Sequence, residues 1–189
     1  MIAFLSLSTL SVMAQDSQQS KSRIAYIRNV YKAAQENAQQ SADNMLTVTQ
    51  REKSNEGLST TILDFFYVTD MVEVVEIPYY KLNLLRRTQK GENNQYEEFL
   101  YDPSNEELIF YFTSFEYEKG VKCETRFYVG ASDDGTSLKV TKFTDTKTGK
   151  DVSSRYPDSL GMFWDEGFML RFAHDMQEAF NHLTLRGWD

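Results

Sequence analysis

The sequence predicts an α+β protein: an N-terminal helix, an antiparallel β-meander of about six to eight strands, and a C-terminal helix packed on the sheet. Three observations carry this. Apolar residues recur at helical spacing near each end of the chain. Between those ends the apolar period falls to two, and turn residues return at short intervals. Strands gathered in one block with helices at its ends give this class rather than an alternating α/β one.

With 189 residues, 41% of them hydrophobic and 14% aromatic, the chain can bury one sizeable core. The expected organisation is a signal peptide over 1–14, a flexible segment over 15–22 and a single α+β domain over 23–189. Residues 1–14 carry no charged side chain, and Val12-Met13-Ala14 before Gln15 has the small-residue spacing of a signal peptidase site. The expected location is therefore periplasmic or extracellular. The run is too short and too Ser-rich for a transmembrane helix, and no second apolar run of membrane length follows, so the mature form is not expected to span a membrane.

The first helix is read from Ile24, Ile27, Tyr31, Ala34 and Ala38, spaced 3, 4, 3 and 4, with Asn44 as its stop. Its stripe ends in Ala, which lets the distal end lie close to a sheet. Leu46 and Val48 then alternate with Thr47 and Thr49. After a loop at Ser54-Asn55-Glu56-Gly57, the run Thr61 to Val68 is apolar on both parities, as in a strand covered on both faces. Val72 to Ile77 reads as another strand, ended by Pro78. Tyr80, Leu82 and Leu84 are expected on one strand face.

Turns at Gly91-Glu92-Asn93-Asn94, Asp102-Pro103-Ser104-Asn105, Gly120, Ser132-Asp133-Asp134-Gly135 and Thr148-Gly149 separate the later strands. In the stretch from 121 to 129, Val121, Cys123, Thr125, Phe127 and Val129 face one way; Lys122, Glu124, Arg126 and Tyr128 face the other. The hairpin around Tyr101 and Leu108 resembles the one around Tyr128 and Leu138. Pro157-Asp158-Ser159 opens the last helix, where Phe168, Phe172, Met176, Phe180 and Leu183 recur at 4, 4, 4 and 3. Gly187 is its expected stop.

A net charge of −8 opposes phosphate binding, so no nucleic acid is expected as a partner. Arg86-Arg87, near Lys90, reads as a solvated strand end. Cys123 alternates with charged residues and reads as a small apolar residue on an inner strand face. No Gly-rich phosphate loop occurs, and no cofactor is implied. No catalytic residue is assigned. Glu97-Glu98 and the other adjacent carboxylates cannot form a glycosidase dyad, because neighbours on a strand point to opposite faces. His174, Glu178 and His182 fall four residues apart on the last helix, which makes them the metal candidates, although helical drift works against one compact site. Tyr111, Phe115, Tyr117, Arg126 and Tyr128 are the binding candidates, as aromatics and a cation that would crowd an outer sheet surface unless a helix covers it.

The Ala14-Gln15 boundary, the helix Ile24-x-x-Ile27-x-x-x-Tyr31-x-x-Ala34 and the hairpin Glu98-Phe-Leu-Tyr-Asp-Pro-x-x-x-x-Leu108-x-Phe110-x-Phe112 resemble a group of uncharacterised exported proteins of anaerobic Gram-negative gut bacteria. The resemblance covers residues 1–145. It implies an exported domain and carries over no functional residue. Two functions then compete. One is a non-enzymatic binding or interaction module in the cell envelope, taking a protein, peptide or glycan. The other is a hydrolase with its site between the C-terminal helix and the sheet, using His174 or His182 with a carboxylate. The oligomeric state stays open.

Overall fold

The computed structural model describes residues 6–40, 44–54, 57–72, 77–91, 94–132, 134–156 and 166–185, and of residues 6–17, 54, 71–72, 77–78 and 185 the backbone alone. The architecture is the expected α+β one: helix α1 (Ser6–Gln40), seven strands, then helix α2 (Glu166–Leu185). The strands are β1 (Met45–Ser54), β2 (Gly57–Val72), β3 (Ile77–Lys90), β4 (Gln95–Tyr101), β5 (Leu108–Glu118), β6 (Val121–Tyr128) and β7 (Leu138–Asp145). They form one antiparallel sheet in the order of the chain, so β1 and β7 are its edges. Among the described residues no helix is long and apolar enough to cross a membrane.

Helix α1 is longer than its apolar stripe. Gln15–Ser22, expected to be flexible, is helical. Neither Gly nor Pro occurs from Ser6 to Gln40, and its Gln, Lys and Ala residues sustain a helix once the stripe docks it. Residues 1–5 of the expected signal segment lie outside the described residues.

The sheet is covered on both faces. One face buries Phe66, Leu84, Leu100, Phe110 and Tyr128, consecutive cross-strand partners, against Ile27 and Ala34 of α1. The other buries Phe65, Leu85, Phe99, Tyr111 and Phe127, also consecutive partners, against Met169, Ala173 and Phe180 of α2. Each large apolar side chain removed from water in these rows contributes ~1.5–3 kcal/mol. Ala34 is 1% exposed, so the small end of the α1 stripe does lie against the sheet.

Several local expectations are corrected. Tyr80, Leu82 and Leu84 do not share a face: the β2–β3 register passes from Phe66↔Leu84 to Tyr67↔Leu82, which leaves Asn83 as an extra residue. This bulge turns Leu82 to the α2 side and keeps Leu84 on the α1 side. Val72 closes β2 and Ile77 opens β3; the rest of the strand expected from Val72 to Ile77, residues 73–76, lies outside the described residues. Pro78 falls inside β3, paired with Met71 near the end of the ladder, where a missing donor costs little.

On α2 the buried residues are Met169, Ala173 and Phe180, whereas Phe168 and Leu183 are exposed. Steps of four residues drift about 40° each around a helix, which carries the ends of the expected stripe off the core. The expected start at Pro157-Asp158-Ser159 and stop at Gly187 lie outside the described residues. The paired hairpins are present, with Tyr101 opposite Leu108 and Tyr128 opposite Leu138.

A third, smaller cluster closes the far end of the α2 face. Val121, Cys123 and Phe143 pack there with Val152 from a 3-10 turn region after β7. Gly120 makes the β5–β6 turn at φ 85°, a conformation strained for any L side chain. Cys123 is fully buried, and burial pushes its thiol up from the ordinary value. The native protein is therefore expected to resist a thiol reagent such as 5,5′-dithiobis(2-nitrobenzoate), and to react fully in denaturant. Rapid labelling of the native form would show that this cluster opens.

Candidate functional site

The polar interior is built on two adjacent cross-strand pairs. Arg86 lies opposite Glu98, and Arg87 opposite Glu97. Alternation along each strand sends the first pair to the α1 face and the second to the α2 face. Glu98 is 3% exposed and accepts hydrogen bonds from the Tyr31 hydroxyl, from Gln35 Nε2 at 3.0 Å, from Arg86 Nε at 3.3 Å and from the Tyr96 hydroxyl at 2.5 Å. Gln35 in turn accepts from Arg86. Glu97 is 2% exposed, pairs with Arg87 and accepts from the Tyr111 hydroxyl at 2.6 Å. Each guanidinium also lies over a ring on its own face: Arg86 over Phe66 at 4.8 Å, Arg87 over Phe172 at 5.6 Å.

These pairs correct the reading of Arg86-Arg87 as a solvated strand end. They agree with the argument that Glu97 and Glu98 cannot form one dyad. Burial, and then the hydrogen bond to Glu98, raises the hydroxyls of Tyr31 and Tyr96, which stay protonated and serve as donors. The satisfied carboxylates have the character of a structural lock rather than a reacting centre.

Among the described residues a cleft opens on each side of the sheet. On the α1 side a groove of about 250 Å³ runs between helix and sheet. Helix α1 contributes Ile27, Arg28 and Tyr31; β5 contributes Phe110 and Phe112; β6 contributes Arg126 and Tyr128. The helix stripe and the sheet row supply the apolar walls, and the next residues along each element supply the cations. Arg126 stands 5.1 Å from the Phe112 ring centre and meets Glu124 at 3.3 Å, while Lys122 holds the other oxygen of Glu124 at 2.8 Å. Arg28 is exposed and meets no carboxylate among the described residues.

On the α2 side a cleft of about 350 Å³ has an apolar base that includes Leu108, Val129 and Ala173. Its rim carries Glu106, Glu107, His174 and Gln177. Glu106 adopts φ 60° in the β4–β5 turn and accepts a 2.7 Å hydrogen bond from Tyr79. That bond, with some burial, pushes the Tyr79 hydroxyl up to about 12.

The five binding candidates are divided between the faces. Tyr111, Phe115 and Tyr117 belong to the α2 side: Tyr111 is 1% exposed, and Phe115 and Tyr117 pack around Cys123 and Phe143. Arg126 and Tyr128 belong to the α1 groove. The β5–β6 register makes the division: Tyr111 stands opposite Phe127, so the odd positions of β5 share the α2 side, while Arg126 and Tyr128 stand opposite Phe112 and Phe110 on the α1 side. Sequence reasoning passed over Arg28 and Tyr31. Arg28 directly follows the stripe residue Ile27, so position on the helix was the available signal.

Of the metal candidates, His174 and Glu178 are exposed and 3.6 Å apart, and His182 is exposed a further turn along. Eight helical positions rotate the ring of His182 about 80° from that of His174. Among the described residues no three His, Cys, Asp or Glu side chains are grouped to hold a metal ion.

Asp102 ties the β4–β5 turn to α1. Burial would raise its carboxyl, but the Ser104 hydroxyl and N–H, with the Tyr26 hydroxyl at 2.9 Å, hold it below the usual range. At Glu124, burial is likewise outweighed by Lys122 and Arg126. A carboxyl whose folded pKa lies below its unfolded value stabilises the fold above the unfolded value, near 4, and loses that contribution as pH falls through the folded one. Urea midpoints are therefore expected to fall below about pH 4. Asp102→Asn should remove part of that fall; an unchanged acid limb in this variant would refute the assignment.

An open antiparallel meander with one helix on each face, and a cationic aromatic groove under the first helix, defines the class of protein. No protein-family model, curated protein or solved structure matches the chain.

Proposed function

We propose that the protein is an exported, non-enzymatic binding module of the cell envelope, and that the groove beneath α1 is its recognition surface. One observation carries this: a groove of about 250 Å³ whose walls are aromatic and whose cations include Arg28, unpaired among the described residues. Aromatic surface beside an available guanidinium supplies apolar contact and orientation together. Export is proposed from residues 1–14, and sequencing of the protein recovered from the envelope fraction should then begin at Gln15.

The test is binding to peptide and glycan arrays by the wild-type chain and by Arg126→Glu. A ligand bound by the first and lost by the second, with an unchanged circular dichroism spectrum, supports the reading. Binding that is indifferent to Arg126→Glu rejects it.

The second cleft favours a hydrolase as the other reading, because His174 shares it with Glu106 and Glu107. Turnover of chromogenic ester, glycoside or phosphate substrates that His174→Ala abolishes would support that alternative.

A further inference from the structure

We infer that the groove takes the C-terminal carboxylate of a peptide whose last residue is apolar. The inference rests on the proposed binding function and names the chemistry of the ligand. A volume of about 250 Å³ falls below that of pockets for drug-sized ligands, so it admits one residue rather than a folded surface. Ile27, Phe110 and Phe112 offer that residue apolar contact.

Charge complementarity selects an acid. Arg28 has no carboxylate among the described residues, and Arg126 is only partly satisfied by a 3.3 Å contact with Glu124, which Lys122 shares. Guanidinium groups recognise carboxylates by paired, charge-assisted hydrogen bonds. The Tyr128 hydroxyl has no hydrogen-bond partner among the described residues and can accept the N–H of the terminal residue. The Tyr31 hydroxyl is already committed to Glu98.

Other ligands fit less well. A sugar needs several free polar groups for its hydroxyls, and the walls are mainly apolar. An internal peptide segment adding as a strand needs a sheet edge, whereas this groove lies over the sheet face between β5, β6 and the helix.

The experiment titrates the purified chain with N-acetyl-Ala-Phe as the free acid, with its C-terminal amide, and with phenylacetate, by calorimetry and amide NMR. The acid is expected to bind at least about tenfold more tightly than the amide. It should shift resonances of β5, β6 and α1, and it should weaken as salt is raised. Arg28→Gln and Arg126→Gln should each bring the acid close to the amide. Phe112→Ala should weaken both peptides.

Equal affinity for acid and amide overturns the proposal, as does the absence of saturable acid binding at millimolar concentration. Phenylacetate binding as tightly as the peptide acid overturns the peptide assignment in favour of a small free acid. If the peptide acid fails while an array ligand still depends on Arg126, the binding function stands and this ligand chemistry falls.

Discussion

Glu98→Ala is expected to lower the free energy of unfolding by about 3–5 kcal/mol, the range for breaking a buried ion pair from one side. The carboxylate is 3% exposed and accepts from four side chains. Its removal takes an acceptor from the Arg86 guanidinium, 24% exposed, which keeps its bond to Gln35, and from the hydroxyls of Tyr31 and Tyr96. The loss is read as a lower urea midpoint at unchanged slope. The double variant Arg86→Met/Glu98→Leu should recover much of it, because it removes the charge as well as its partner. A single variant within about 0.5 kcal/mol of wild type would show that water replaces the carboxylate, and the account of α1 docking through Glu98 would be wrong.

Phe180→Ala should cost a similar ~3–5 kcal/mol, for a different reason. Phe180 is fully buried and meets Phe65 at 5.8 Å and Tyr67 at 5.6 Å between ring centres. It holds the C-terminal half of α2 to the β2 side of the sheet. In a chain of this length each kcal/mol lowers the melting temperature by about 2–4 °C. Phe168→Ala, at an exposed position, should move it far less. Equal effects at the two positions would mean that α2 is rotated from the packing described.

How far these features were legible differs from residue to residue. The α1 stripe was plain because Ile27 and Ala34 stand at helical spacing and both are buried. The β6 alternation was plain for the same kind of reason, with Cys123 and Phe127 on one side and Arg126 and Tyr128 on the other. Bulges were not legible. Nothing in Leu82-Asn83-Leu84 announces that Asn83 is extra, since the choice is made by the neighbouring strand. The ion pairs escaped notice because Arg86 and Glu98 are distant in sequence and become neighbours only when β3 meets β4. Half of the groove was missed likewise: Arg126 and Tyr128 were read from their strand, but the walls they share with Arg28 and Tyr31 come from packing.

The paired charges on β3 and β4 have a consequence for how the sheet assembles. Where both faces of a sheet are greasy, sliding one strand by a single residue swaps one oily row for another, and hydrophobicity alone discriminates poorly. The two consecutive arginines and two consecutive glutamates remove that freedom. A slipped hairpin would strand an acid beside the wrong neighbour in a dry environment, and such a mismatch costs several kcal/mol. Arg86-Arg87 and Glu97-Glu98 thus act as a two-tooth key: they fix the alignment of the central strands, and with it the one arrangement in which both helices find their seats.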